Sequence, residues 1–278
     1  MIEASNLNFF YASAKNPAIS GITFQAHAGE TIALIGGDNS GKSTLLYLLS
    51  GLAPQLLKGE RHGQLQVAGL DPSTAPPEIR LRAVGMVFAN PVSQITGICP
   101  SVEEEIAWSL GNLGVNREAM HRQVDEVIQQ LHLEEIRHRI PWQLSSGQQQ
   151  LVAVASALVL QPQVLLFDEP ISSLDAHSRK AVIAAALDLA QAGHTIIWAT
   201  PELESVANFS RWIYLDRGKI IYDGPPNWLG KTALPAAWTR LAQKAQAQGL
   251  WSQPLPFTEH EAAEGFGAII HSHDNHKA

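Results

Sequence analysis

Hydrophobic residues follow two patterns that alternate along the chain. Continuous apolar runs, typical of strands buried on both faces of a sheet, occupy residues 31–35, 164–167 and 194–198. Apolar residues at helical spacing occupy 42–49, 102–110, 118–131, 148–160 and 176–191. Shorter strands are predicted over 7–11, 22–25, 64–67 and 84–88, with a hairpin over 211–222. Strands that alternate with helices predict an α/β fold.

The helical pattern interrupts the sheet pattern in the middle of the chain, which predicts a helical subdomain over about 90–162. The polar stretch 54–63 and the proline-rich stretch 72–77 are expected to be connections. Beyond residue 230 prolines punctuate short predicted helices. We therefore expect a main domain over 1–230 and a C-terminal extension over 231–278 with a frayed tail. That tail contains three histidines; a metal-binding tail is conceivable, but a solvated end is favoured.

Composition narrows the class of protein. The 278 residues carry a net charge of −7 and are 45% hydrophobic, which suits a folded core and gives no general attraction to nucleic acid. The single cysteine, Cys99, has no internal partner and fits a reducing compartment. No apolar stretch reaches the ~18 residues that a membrane span needs, and no export signal is evident. We expect a cytoplasmic protein that can dock on a membrane partner.

A glycine-rich loop joins the first buried run to the first helix. Its sequence fits G-x-x-x-x-G-K-[ST], in which backbone amides and a helix N-terminus surround phosphate oxygens. The motif residues are Gly36, Gly37, Asp38, Asn39, Ser40, Gly41, Lys42, Ser43 and Thr44. Lys42 is expected to reach the β- and γ-phosphates and Ser43 to bind Mg²⁺. The plainer alternative, a turn that only caps a helix, is disfavoured because the motif follows a strand and opens a helix.

Two acids end a second buried run. Asp168 and Glu169 follow the apolar residues 164–167, at the strand end where ligands bind in parallel sheets. Asp168 is predicted to hold Mg²⁺ through water, and Glu169 to act on the attacking water as the catalytic residue. Taken alone, the pair could equally be acids that cap the next helix.

The order of these motifs resembles an ATP-binding cassette (ABC) ATPase over about residues 1–230. A signature-like LSSGQ stands at 144–148 between the two motifs, and SSLD, similar to the family's D-loop, stands at 172–175. The resemblance implies a P-loop NTPase (RecA-like) core with a mixed sheet, an antiparallel N-terminal β-subdomain and a helical signature subdomain. It also implies ATP and Mg²⁺ as cofactors, with further contacts to nucleotide from Tyr11, Ser145, Gly147 and Gln148. Tyr11 would stack on adenine, unless it is an ordinary strand aromatic.

A narrower resemblance is to the ATPases of energy-coupling factor (ECF) importers. VGMVFANPVSQ at 84–94 is similar to their VGxVFQNPxxQ segment, and 249–266 is similar to their C-terminal region. The resemblance implies a second ATPase, a transmembrane coupling subunit, a substrate-binding membrane subunit and a place at the cytoplasmic face of the membrane. Family cargoes are vitamins, their precursors, and nickel or cobalt ions.

The chain departs from the family pattern at catalytic positions. The Q-loop glutamine aligns with Ala89 and the H-loop histidine with Pro201, neither of which has a side chain that can coordinate or donate. Ser146 replaces the first signature glycine. We hypothesise an asymmetric heterodimer, in which this chain's own site is impaired and its signature completes the partner's site. Compensation by Gln94 or Thr200 is the alternative.

Two other functions stay open. An ATP-binding regulatory pseudo-ATPase would bind nucleotide with little turnover. An ABC ATPase that acts on nucleic acid or ribosomes ranks low, because the chain is acidic and has neither a coiled-coil insertion nor a second cassette.

Overall fold

The computed structural model describes residues 1–226 and residue 246 and contains two sheets. The smaller sheet is antiparallel, with strand order β2-β1-β4. Its strands are β1 (Ile2–Tyr11), β2 (Ile19–Ala26) and β4 (Gly59–Val67). This is the N-terminal antiparallel subdomain that the family resemblance implied.

The larger sheet is mixed, with strand order β5-β6-β7-β3-β8-β9. Its strands are β3 (Thr31–Ile35), β5 (Val84–Val87), β6 (Val164–Asp168), β7 (Thr195–Ala199), β8 (Arg211–Asp216) and β9 (Lys219–Gly224). The first five in this order pair in parallel, and β9 returns antiparallel to β8. Every residue of β3, β6 and β7 is buried, which explains why these strands are continuous apolar runs.

Six α-helices accompany the sheets in the described residues. They are α1 (Lys42–Ser50), α2 (Pro77–Ala83), α3 (Val102–Asn112), α4 (Arg117–Gln130), α5 (Ser146–Leu158) and α6 (Ala176–Gln191). Helices α3, α4 and α5 lie between β5 and β6 in the chain and contact one another. Within the described residues, no helix has the length and apolar character that crossing a membrane requires.

The central sheet separates two hydrophobic clusters. Along β3, Ile32 and Leu34 belong to the cluster shared with α1 and the antiparallel sheet. Ala33 and Ile35 belong to the cluster shared with α3–α6. Successive side chains of a strand point to opposite faces, so one strand serves both clusters. The predicted α/β fold of the P-loop NTPase kind is confirmed.

Two connections were predicted wrongly. Strand β4 begins at Gly59, inside the stretch expected to be loop, because its polar and largely exposed residues pair with β1 through the backbone. The proline-rich stretch 72–77 leads directly into an unpredicted helix, α2, which starts at Pro77, where the missing amide costs no helical hydrogen bond. The predicted extension over 231–278, with its histidine tail, lies outside the described residues except for residue 246.

Candidate nucleotide-binding site

The glycine-rich loop and the acidic pair meet at one edge of the central sheet. Strands β3, β6 and β7 are parallel neighbours, and their carboxyl ends lead into 36–41, Glu169 and Thr200. The backbone ties these ends together, because the Glu169 amide donates to Ala199 O at 2.9 Å and the Thr200 amide to Leu34 O at 3.3 Å. The carboxyl edge of a parallel sheet is the usual place for a ligand site.

The loop has a shape that requires glycine. A Cβ on Gly36 would lie 2.4 Å from Leu215 O, and one on Gly41, whose φ is 105°, would lie 3.0 Å from Ala18 O. A Cβ on Gly37 would meet nothing within 4 Å. The loop is therefore packed against neighbouring backbone at Gly36 and Gly41 and is open at Gly37. An open side is what a phosphate-binding loop requires.

The turn of the β8–β9 hairpin is hydrogen-bonded to the glycine-rich loop. The amide of Gly218, between β8 and β9, donates to Ser40 O at 2.9 Å. The carbonyl of Gly218 accepts from the Ser20 amide in β2 at 2.8 Å. The loop, the hairpin and the antiparallel sheet are thus joined by two consecutive backbone hydrogen bonds.

Lys42 is buried, with only 7% of its surface exposed. Its ammonium donates to Gly36 O at 3.0 Å and to Gly37 O at 3.1 Å. A buried cation held by carbonyl oxygens alone lacks a counter-ion at close range, so the loop is suited to receive an anion.

Ser43 and Asp168 are brought together from α1 and β6. The Ser43 hydroxyl donates to Asp168 Oδ1 at 3.1 Å. Burial raises the pKa of Asp168, and the Ser43 hydrogen bond and the Lys42 charge oppose that rise. A desolvated carboxylate next to a hydroxyl is a pair of hard oxygen donors, which fits the preference of Mg²⁺.

Glu169 lies just beyond the strand end in a left-handed conformation, with φ of 48°. Burial is the main cause that raises the pKa of Glu169, and the charges of Asp168, Asp38 and Glu202 add to it. Lys42 acts in the opposite direction. A carboxylate with a raised pKa is a stronger base than an exposed one, which suits a group that polarises water.

Tyr11 lies at the end of β1, beside the first turn of α1. Its hydroxyl is 3.0 Å from Thr44 Oγ1, and its ring meets Phe9 edge-on at a centroid distance of 4.9 Å. The residue predicted to contact adenine therefore lies next to the helix that follows the glycine-rich loop.

The signature residues begin α5. The Ser145 hydroxyl accepts from the Gln148 amide at 3.3 Å, and the Gln148 side chain accepts from the Ser145 amide at 3.1 Å, which forms a capping box. A Cβ on Gly147 would lie 3.1 Å from Ser173 O. These residues thus adjoin the turn at 172–175, and their hydrogen bonds serve the helix end.

Gln94 and Thr200, the two side chains that could compensate for Ala89 and Pro201, form hydrogen bonds with the local backbone. Gln94 accepts from the Phe88 amide at 2.7 Å and donates to Met86 O at 2.9 Å, so its amide extends the edge of β5. The Thr200 hydroxyl accepts from the Glu202 amide at 3.0 Å. Both contacts are ordinary stabilising interactions of the local backbone.

One link at the site was not predicted. Arg179 of α6 donates to Leu174 O at 2.9 Å and to the Glu202 carboxylate at 2.8 Å. It therefore joins the turn at 172–175 to the segment after β7. No motif in the sequence pairs these residues, since the contact depends on how α6 packs.

Fold and loop together define a P-loop ATPase. The family model described as ABC transporter matches residues 19–172, and the chain belongs to the ABC transporter family. It is 35% identical over 261 residues to the cobalt import ATP-binding protein CbiO of Syntrophus aciditrophicus, covering 90% of each chain. It is 33% identical over 276 residues to the energy-coupling factor transporter ATP-binding protein EcfA1 of Geobacillus kaustophilus, covering 95% of each.

A solved structure agrees with these relatives. The structure of cbiO1 from Clostridium perfringens superposes with a TM-score of 0.71 at 25% identity, covering 89% of this chain and 94% of the other. That protein is described as part of the ABC transporter complex cbiONQ. The identification as an ABC ATPase resembling the ECF group is confirmed.

Proposed function

We propose that this chain is the ATP-binding subunit of an ECF-type importer, which couples ATP binding and hydrolysis to uptake of a small solute. The observation that carries the proposal is the Ser43–Asp168 contact of 3.1 Å beside the buried Lys42. It brings the proposed phosphate-binding lysine and the two proposed magnesium ligands to one sheet edge. The CbiO relative, which is named for cobalt import, and the EcfA1 relative, which is named for an energy-coupling factor transporter, support an importer. The proposed cargo is a vitamin, a precursor or a metal ion.

Each residue of the edge has a distinct role in this proposal. Lys42 and the amides of 36–44 bind the phosphates, and Tyr11 stacks on the adenine. Ser43 and Asp168 hold Mg²⁺, which neutralises phosphate charge when bound. Glu169 accepts a proton from the attacking water, a role that its raised pKa favours.

The same proposal includes asymmetry. Ala89 stands two residues after β5, and Pro201 stands two residues after β7. Neither side chain can make the polar contact to the reacting phosphate that the family resemblance implies at its position. Ser145, Gly147 and Gln148 remain at an intact helix N-terminus and act on the nucleotide of a second ATPase subunit. A heterodimer in which the partner carries the active site follows. If turnover stays negligible with the partner, the regulatory pseudo-ATPase is the better description.

The expected assembly adds two membrane proteins, a transmembrane coupling subunit and a substrate-binding subunit. The description of the Clostridium relative as part of a transporter complex supports this assembly. The chain itself would then lie at the cytoplasmic face of the membrane.

Replacing Lys42 tests nucleotide binding directly. We expect Lys42→Ala to weaken Mg²⁺–ATP binding by about tenfold to a hundredfold, because one charge-assisted contact contributes about 1.5–3 kcal/mol. Isothermal titration calorimetry on the full chain measures the change. Lys180→Ala, which removes an exposed cation from α6, is the matched control. Unchanged affinity in Lys42→Ala would contradict the proposed phosphate contact.

A further inference from the structure

Tyr11 is anchored at its hydroxyl to the helix that follows the glycine-rich loop. The hydroxyl lies 3.0 Å from Oγ1 of Thr44, and this hydrogen bond joins the end of β1 to the first turn of α1. Thr44 is only 8% exposed, so the hydrogen bond also satisfies a buried hydroxyl that would be costly to leave unpaired. The contact connects two parts of the chain that are 33 residues apart.

Thr44 is a rigid anchor for the Tyr11 hydroxyl. It lies in the first turn of α1, where the Leu45 amide donates to Gly41 O at 2.9 Å. Its β-branched side chain has few χ1 rotamers in a helix, so its hydroxyl has a nearly fixed position relative to the backbone. The position of the Tyr11 hydroxyl is therefore set by the same helix turn that carries the end of the glycine-rich motif.

The ring of Tyr11 is also held by packing. Phe9, which is fully buried, meets it edge-on at an interplanar angle of 83°. The Tyr11 carbonyl accepts from the Ala14 amide at 2.9 Å, and the residue pairs with Gly59 of β4. Tyr11 is nevertheless only partly buried. Its surroundings therefore orient the side chain and leave part of it open to a ligand.

We propose that Thr44 is a positioning residue for the adenine contact. Its hydroxyl holds the Tyr11 ring in the orientation that stacks on the base, so the ring is already ordered when ATP binds. Aromatic stacking depends on the relative orientation of the rings, and ordering a free side chain on binding lowers affinity. The inference deepens the proposed function, because it requires that Tyr11 stacks on adenine while the adjacent loop binds the phosphates.

A direct phosphate contact is the competing role for Thr44. The residue belongs to the glycine-rich motif, so its hydroxyl could bind a phosphate instead of holding the ring. The two roles predict a different dependence on the base. A residue that positions the ring affects the binding of ATP but not of inorganic tripolyphosphate, which has no base. A residue that contacts phosphate affects both ligands.

The test measures the affinity of the full chain for Mg²⁺–ATP and for Mg²⁺–tripolyphosphate by calorimetry. We expect Tyr11→Phe and Thr44→Val each to weaken ATP binding by about two- to tenfold, which is the range for one neutral hydrogen bond. The double variant is expected to lose no more affinity than either single variant, because both substitutions remove the same contact. Tripolyphosphate binding is expected to stay the same in all three.

Two further variants serve as controls. Thr44→Ser keeps the hydroxyl and is expected to restore the ATP affinity that Thr44→Val loses. Tyr222→Phe, which removes a hydroxyl that donates to Pro225 O on the β8–β9 hairpin, is the matched control for the loss of a phenol oxygen.

Three results overturn the inference and leave the proposed function standing. The first is an unchanged ATP affinity in Tyr11→Phe. The second is a double variant whose loss equals the product of the two single losses, because the two hydroxyls would then act independently. The third is an equal loss of ATP and tripolyphosphate affinity in Thr44→Val, which assigns the hydroxyl to a phosphate. If the unmodified chain binds neither ligand, the proposed function itself fails.

Discussion

At the scale of single residues, buried charge is concentrated at the nucleotide site. Among the described residues, the buried charged side chains are Lys42, Asp168 and Glu105. Glu105 is satisfied locally, since it accepts from the Thr96 amide and hydroxyl at 2.7 and 2.8 Å. Lys42 and Asp168 lie together at the sheet edge. Burying charge is expensive, so two buried charges that form no close ion pair with each other indicate a ligand that compensates for them.

An ion pair away from the site gives a pH prediction. Arg61 donates to both oxygens of Asp71, and this contact is the main reason that the pKa of Asp71 falls from 3.8 to about 2. A carboxyl with a lowered folded-state pKa stabilises the protein above its unfolded-state pKa. The stabilisation is therefore present above about pH 4 and is lost as the pH falls towards 2.

We expect Asp71→Asn to lower the urea midpoint of unfolding at pH 7, because it weakens the Arg61 pair. The difference from the unmodified chain is expected to shrink between pH 4 and pH 2. Urea unfolding followed by circular dichroism at several pH values measures both. Asp216→Asn, at an exposed carboxyl at the end of β8, controls for the loss of one negative charge. A difference that stays constant down to pH 2 would refute the pH argument.

Sequence reasoning placed some site residues and missed others for identifiable reasons. The meeting of Ser43 and Asp168 could be predicted, because each follows the end of a buried strand and parallel strands share an edge. The Arg179–Glu202 contact could not be predicted. It depends on how helix α6 packs, which no local spacing records.

At the scale of elements, the sequence predicts the buried strands more accurately than the exposed ones. The fully buried strands were placed within a residue or two, since their pattern is strong. The sequence predicts β4 only over 64–67, because the first residues of this strand are polar and its pairing with β1 uses only the backbone. Helix α2 was missed because a short helix that starts with proline looks like a connection.

The end of α1 gives a prediction at this scale. Gly51 ends the helix with φ of 74°, and a Cβ there would lie 2.1 Å from Pro72 O. Gly69 has a similar φ of 78°, with nothing within 4 Å of its Cβ position. Both substitutions by alanine therefore incur the left-handed strain of about 1–2 kcal/mol, but only one meets a clash.

We expect Gly69→Ala to lower the free energy of unfolding by about 1 kcal/mol, and Gly51→Ala to lower it by about 1–3 kcal/mol more. Chemical denaturation of the two variants side by side gives the difference. Equal effects would show that the approach of Pro72 to the helix end does not restrict the side chain at position 51.

At the scale of the whole molecule, the structure gives a test of asymmetry. If Ala89 and Pro201 impair this chain's own site, Ala89→Gln with Pro201→His is expected to raise ATP turnover of the isolated chain. Each restored contact contributes up to about 10²–10³ in rate where the geometry is right. Steady-state phosphate release measures the rate, with Glu169→Gln in the restored chain as the background control.

Two results bear against asymmetry. The first is that the unmodified chain hydrolyses ATP as fast as the restored variant and loses this activity in Glu169→Gln. That result would show that its own site is fully active. Pull-down of the chain from membranes with only copies of itself as ATPase would show that no distinct second subunit is needed.

The two hydrogen bonds of Gly218 have a consequence for local opening of the sheet. An edge hairpin is normally among the first parts of a sheet to fray. Here fraying of β8–β9 would break the hydrogen bonds from Gly218 to Ser40 and from Ser20 to Gly218, and the phosphate loop would lose its outer support. Nucleotide that rigidifies the loop must therefore slow amide exchange at Ser20 and Gly218 together, although neither residue belongs to the nucleotide motif.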